Sequence, residues 1–288
     1  MVLRIVLILI GAGLTAGCGM SGHTAAKERT VVAAFYPLAF AAERIGGPHI
    51  VVENLTPPGA EPHDLELAPK AVARIETAGV VLYLSHGFQP AVSDAVEQAQ
   101  GTTVDVLAGL PLHANVGGEK GLSADPHVWL DPVLFARIVG RIGAVLHEAG
   151  RAAILQADLH RLDLAYRRGL AHCVRREIVT SHAAFGYLAQ RYGLTQVAIT
   201  GLAPESEPSP QQLANVVRIV RRTHTTTVFF ERLVSPRLAD TVARETGART
   251  AVLDPIEGLT PAEQSRGETY LSLMGENLTA LRKALGCR

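Results

Sequence analysis

From Thr30 onward, short β-branched and apolar runs alternate with longer amphipathic stretches, the pattern of strands and helices taking turns along an α/β fold. Val31-Val-Ala-Ala-Phe35 reads as a first strand, Leu38 to Ile45 as a helix closed by Gly46-Gly47-Pro48, and Ile50 to Leu55 as a second strand. Beyond the loop Thr56-Pro-Pro-Gly-Ala-Glu-Pro62, a helix begins near Pro69, where proline suits the first turn, and Val80 to Leu84 supplies a third strand. A helix over Pro90 to Gln100 and a strand over Thr103 to Leu107 complete this half. After a Gly-rich polar loop, Ala108 to Ala124, the stretches Pro132 to Gly150 and Ala152 to Cys173 are helical and bridge to a second series. That series has strands at Glu177–Thr180, Gln196–Thr200, Thr227–Phe230 and Thr250–Leu253, with helices at Ala183–Arg191, Gln211–Arg222, Pro236–Thr246 and Glu268–Leu285. The expectation is an α/β protein with an N-terminal lobe over 30–150, a bridging helix over 151–173 and a C-terminal lobe over 174–288. A chain of 288 residues is comfortable for two cores.

The N-terminus breaks the pattern. Arg4, the apolar run Ile5 to Ile10 and the small-residue stretch ending in Leu14-Thr-Ala-Gly-Cys18 form an export signal in its proper order. The small residues before Cys18 resemble the bacterial lipobox, so 1–17 reads as a lipoprotein signal peptide and Cys18 as an acylated, membrane-anchoring first residue. Residues 18–29 carry too little apolar content to pack and read as a tether. With Cys18 set aside, Cys173 and Cys287 remain, an even pair in an oxidising compartment, which points to a disulfide; the alternatives are two free buried thiols, or a Cys287 disordered with the last residues. No CxxC spacing supports a cysteine zinc site. Charge adds an exclusion: 27 Lys+Arg against 27 Asp+Glu, with no sustained basic run, lacks the footprint of a nucleic-acid binder.

Candidate chemistry lies at strand ends. His63 follows the second strand, His182 comes directly after Ile178-Val-Thr-Ser181, and Asp254 directly after Thr250-Ala-Val-Leu253. In open α/β sheets ligands bind at the carboxyl ends of the strands, so these three converge if the two sheets face one another there. His127, in Asp125-Pro-His-Val-Trp-Leu-Asp-Pro132, lies where the first half meets the bridging helices. Only tertiary folding assembles residues 64, 55 and 72 positions apart. Three imidazoles and a carboxylate suit Zn²⁺, and a fully occupied shell favours holding the ion over catalysis, which needs an open position. Taken singly, each of the 11 histidines is more often a surface or core residue, and Asp254 is also placed to cap a turn with Pro255. Glu61 and Glu231 are candidates for hydrogen bonds that support the ligands, or for solvated charges.

Taken together, the motifs Pro58-Gly-Ala-Glu-Pro-His63, Asp125-Pro-His-Val-Trp-Leu-Asp-Pro132, Thr180-Ser-His-Ala-Ala-Phe-Gly-Tyr187, Glu205-Ser-Glu-Pro-Ser-Pro210, and Phe229-Phe-Glu231 with Glu245-Thr-Gly247 resemble the cluster A-I (zinc/manganese) family of ABC-transporter solute-binding proteins. The resemblance implies two α/β lobes joined by one long helix, metal in the interlobe cleft, small lobe movement, and His63, His127, His182 and Asp254 as ligands. It implies a monomeric, extracytoplasmic lipoprotein that hands its metal to an ABC permease and ATPase, with no catalysis. Manganese-preferring members tend to carry Glu where this chain has His182, so zinc is favoured. Many zinc members also carry a long His-rich loop; here Leu110 to Ala124 contains only His113. Competing readings are manganese or iron as cargo, a surface adhesin, and a secreted zinc hydrolase in which Glu61 or Glu231 activates water. The last finds no HExxH and no nucleophile elbow in the chain.

Overall fold

The computed structural model describes residues 29–115 and 121–288. The expected signal peptide, Cys18 and nearly all of the tether lie outside the described residues.

Each half builds a four-stranded, wholly parallel sheet. Strands β1 (Arg29–Ala33), β2 (Ile50–Asn54), β3 (Val80–Tyr83) and β4 (Thr102–Asp105) are arranged β2-β1-β3-β4. The second sheet repeats that order as β6-β5-β7-β8, from β5 (Glu177–Thr180), β6 (Thr195–Ala198), β7 (Thr227–Phe230) and β8 (Arg249–Val252). Helices α1 (Tyr36–Gly46), α2 (Pro69–Thr77) and α3 (Pro90–Val96) belong to the first sheet. Helices α6 (Gly186–Tyr192), α7 (Pro210–Thr223), α8 (Arg237–Thr246), α9 (Pro261–Arg266) and α10 (Tyr270–Leu285) belong to the second. Parallel strands buried between helices need apolar residues at successive positions rather than alternation, and Val31 to Ala34 and Val80 to Leu82 are all fully buried.

Between the lobes lie two helices, α4 (Pro132–Leu146) and α5 (Ala149–Gly169). Asp131 caps α4 by accepting from the backbone N–H groups of Val133 and Leu134, with Pro132 in the first turn. The chain reverses at His147, which adopts a left-handed φ of 61°. Close packing of α4 on α5 depends on Gly143, where an added Cβ would sit 2.3 Å from that of Ala152. Helix α5 packs against α4, α1 and α10, so it is the spine of both lobes. The last helical stretch differs from the sequence expectation: the chain forms α9 first, ends it at left-handed Gly267, and starts α10 with a second capping box at Thr269.

One apolar core runs from the first sheet through α4 and α5 into α6, α10 and the inner side of the second sheet, while Val179, Val216, Val220, Val228 and Val242 belong to a separate cluster with α7 and α8. Across the cleft, Trp129 Nε1 donates to the Pro255 carbonyl at 2.7 Å, the Tyr270 hydroxyl donates to the Trp129 carbonyl at 2.5 Å, and Arg191 pairs with Asp131 at 2.6 Å. Cys173 and Cys287 are joined as a disulfide, closing a 114-residue separation and fastening the C-terminal end beside the end of α5. Loop-closure entropy for such a bond is worth about 4 to 5 kcal/mol.

Candidate metal centre

The parallel topology sends the carboxyl ends of both sheets into the cleft, and there the chain places His63, His127, His182 and Glu257, each offering a donor atom within 4.8 Å of the others. His63 rides on the loop after β2, His127 opens the short 3₁₀ turn Val128–Leu130, His182 follows β5, and Glu257 follows β8. Their side chains are 4%, 0%, 1% and 0% exposed, so whatever they bind is cut off from bulk water. Glu257 Oε1 lies 3.4, 3.0 and 3.6 Å from the Nε2 atoms of His63, His127 and His182. The Nε2 atoms of His127 and His182 are themselves 3.4 Å apart. Glu257 Oε2 is buried and has no hydrogen-bond partner among the described residues, leaving carboxylate lone pairs free beside three imidazoles. That donor set matches the nitrogen and oxygen ligands that complete a tetrahedron around Zn²⁺.

Two of the rings are aimed from behind. Nδ1 of His127 lies 2.8 Å from Asp125 Oδ1, and Nδ1 of His182 lies 2.8 Å from Glu231 Oε1. A carboxylate facing Nδ1 holds the proton there and leaves the Nε2 lone pair for the cleft. Asp125 Oδ1 also accepts from the His127 backbone N–H, and Glu231 Oε1 from the Ser181 hydroxyl, so both carboxylates are anchored independently of the rings. Glu61 serves differently: its Oε1 accepts from the His63 backbone N–H, shaping the loop instead of orienting the ring. Burial, with Glu257 close by, pushes the Glu61 carboxyl up to about 10. Under the site, Trp129 packs edge-on to Phe35 and 5.1 Å from the His127 ring, and Phe88 lies edge-on to His63, forming an apolar floor.

Asp254 stands apart from the cluster. The structure does not bring it into this group: Oδ1 accepts from the Ile256 backbone N–H at 2.7 Å, and Oδ2 pairs with Arg232 at 3.2 Å. Asn277 grips the Asp254 backbone on both sides, accepting from its N–H and donating to its carbonyl. The chain then turns through Ile256 at a left-handed φ of 58°, a conformation that β-branched residues avoid, and delivers Glu257 to the cleft. Sequence reasoning missed Glu257 and Asp125. A carboxylate two residues before His127 was visible as a possible ring partner; nothing local distinguishes Glu257 from Asp254.

The four groups influence one another's protonation. Burial, the largest influence on His127 and His182, disfavours their cationic forms, but Asp125 and Glu257 for the first and Glu231 and Glu257 for the second more than offset it, so both pKa values rise. For His63 burial prevails over Glu257 and the value falls. The Glu257 carboxyl is held well below the usual range: burial opposes ionisation, and three imidazoles together outweigh it. Removing the aiming carboxylate should weaken metal binding without emptying the donor set. Glu231→Ala is expected to lower zinc affinity about 10- to 100-fold in a chelator competition, with one zinc still bound at saturation; unchanged affinity would remove Glu231 from this role.

Two parallel-sheet lobes whose facing edges converge on a buried donor cluster define a two-lobed solute-binding protein. Residues 31–284 match the family described as zinc-uptake complex component A, periplasmic, and the chain belongs to that family. It is 34% identical over 300 aligned positions to the high-affinity zinc uptake system protein ZnuA of Bacillus subtilis (strain 168), covering 94% of each chain. It is 35% identical over 276 positions to the zinc-binding lipoprotein AdcA of Streptococcus pneumoniae, covering 88% of this chain and 55% of AdcA, so it spans about half the length of that relative. The crystal structure of the Zn(II)-bound ZnuA-like domain of AdcA superposes with a TM-score of 0.75 at 34% identity, covering 90% of this chain and 99% of that one. The laminin-binding protein Lmb of Streptococcus agalactiae gives a TM-score of 0.81 at 30% identity, covering 89% and 99%.

Proposed function

We propose that this chain captures Zn²⁺ outside the cytoplasm through His63, His127, His182 and Glu257 and delivers it to an ABC permease driven by its ATPase. The observation that carries the reading is the convergence of three imidazole Nε2 atoms on one buried carboxylate, two of them with Nδ1 on carboxylates of their own. Four protein donors fill a tetrahedral shell and leave no position for an activated water, which supports binding in preference to hydrolysis. Nitrogen donors in three of four positions favour zinc over manganese, whose preferred ligands are oxygen. On this reading the protein works as a monomer, and Cys18, freed by removal of residues 1–17, carries the lipid that holds it at the membrane.

Elemental analysis with zinc and manganese in competition, on the mature chain and on His63→Ala and His127→Ala, tests the proposal. One tightly held zinc, weakened in both variants, is the expected result. Preferential manganese binding would overturn the cargo, and absence of any stoichiometric metal would overturn the site.

A further inference from the structure

The spine helix α5 buries an apolar inner face and also carries exposed aliphatic side chains on its outer side. Its inner face buries Ala152, Leu155, Leu159 and Tyr166. At 3.6 residues per turn its outermost line runs through Ile154, Ala157, Arg161, Leu164, Ala165 and Arg168, all exposed. Among the described residues only four large apolar side chains are strongly exposed, and three lie on α5 or in the loop that follows it: Ile154 at 63%, Leu164 at 41% and Val174 at 74%. A helix spanning two lobes should present a polar outer face, so Ile154 and Leu164 stand out there as exposed aliphatic side chains among small and cationic neighbours.

Cations interleave with them. Asp158 is shared between Arg44 and Arg161, so two guanidiniums face one carboxylate. Asp163 is engaged by Arg167, and Arg168 has no ion-pair partner among the described residues. Beside Val174, Arg175 and Arg176 donate to backbone carbonyls of Ala284, Leu170 and Ala171 and have no ion-pair partner among the described residues. Exposed aliphatic side chains set among arginines fit the boundary between anionic headgroups and acyl chains. A second copy fits poorly, because a two-fold contact centred on this outer line sets Arg161 against Arg161 and like charges oppose association.

The point where the chain enters the fold agrees. Arg29 opens β1 and donates to the carbonyl of Val145, near the end of α4 and just before α5 begins. If Cys18 is acylated, as the proposed function holds, the intervening tether reaches at most about 40 Å at roughly 3.5 Å per residue. The anchor therefore keeps Arg29, and with it the start of α5, within about 40 Å of the bilayer. We propose that the outer face of α5 and the 171–176 loop form a peripheral contact for an anionic lipid surface, which orients the tethered protein.

The test uses the mature chain with Cys18→Ser, so that no acyl chain contributes, in co-sedimentation with phosphatidylcholine vesicles with and without phosphatidylglycerol. Retention is expected only with phosphatidylglycerol, and it should fall as salt rises. It should drop about tenfold or more in Ile154→Glu/Leu164→Glu and in Arg161→Glu/Arg168→Glu. Lys70→Glu, on α2, should leave it unchanged, and all variants should keep the parent's zinc stoichiometry, which separates this proposal from the metal site. Retention that ignores phosphatidylglycerol, or that survives both double substitutions, would overturn the proposal. So would self-association of the parent chain in sedimentation equilibrium that Ile154→Glu/Leu164→Glu abolishes.

Discussion

Glu257→Ala should lower zinc affinity by more than about 100-fold, because it removes a candidate donor outright and even the loss of a residue that merely orients a donor costs 10- to 100-fold. Asp254→Ala is the informative companion. Its carboxylate holds the Ile256 N–H and Arg232, and Arg232 also reaches Glu263 and Glu276, so it ties together the loop after β8, α9 and α10. Losing a buried, hydrogen-bonded carboxylate should lower the stability of the metal-free protein by about 1 to 3 kcal/mol. Its effect on zinc should arise indirectly, through a loosened Ile256 turn, and be smaller than that of Glu257→Ala. Isothermal titration with a competing chelator and thermal unfolding of the metal-free forms measure the two quantities. Abolished binding in Asp254→Ala with unchanged binding in Glu257→Ala would reverse the assignment.

The second large effect is the response to acid. Zinc needs unprotonated Nε2 atoms, while in the metal-free protein His127 and His182 retain their protons above the ordinary value of 6.5. The competition between ion and proton therefore begins above pH 6.5, and affinity should fall about 10- to 100-fold per pH unit as one to two protons return. The metal-free fold responds with the opposite sign. Raised histidine values mean that their pairing with Glu257, Asp125 and Glu231 stabilises it fully below pH 6.5 and that this contribution is lost as pH rises through the folded values. The depressed Glu257 carboxyl sets the acid limit of the same interaction, which is present above 4.5 and lost as pH falls through its folded value. The rise in melting temperature on adding zinc should thus grow from pH 6 to pH 8. A zinc-induced shift that is flat across this range would contradict an imidazole-dominated site.

The two effects share a cause. Without metal, Glu257 is the counter-ion of the imidazole cluster; on the proposed assignment, the dication would take the protons' place among the same atoms. The carboxylates behind the rings then serve both states, holding Nδ1 whether a proton or an ion occupies Nε2.

Much of the architecture is written locally. Runs such as Val31 to Ala34 and Val80 to Leu82 read as buried parallel strands because both faces of such strands must be apolar, and the helices announce themselves through Pro132, Ser209-Pro210 and the amphipathic periods that follow. Three of the four clustered residues, His63, His127 and His182, were legible because each sits at a strand end or at the junction with the bridging helices, where an α/β sheet opens to its ligand. The fourth was not. Asp254 and Glu257 share one short loop with equal chemical claim, and only the tertiary structure chooses between them: Arg232, Asn277 and Trp129 fasten the Asp254-Pro255 end, the backbone turns left-handed at Ile256, and Glu257 is left facing the histidines. Local sequence determined where strands end and hence which histidines could meet; tertiary contacts, from Asn277 23 positions beyond Asp254 to Trp129 126 positions before Pro255, decided which carboxylate faces the histidines, because a loop's direction is set by what holds it and not by its own propensities.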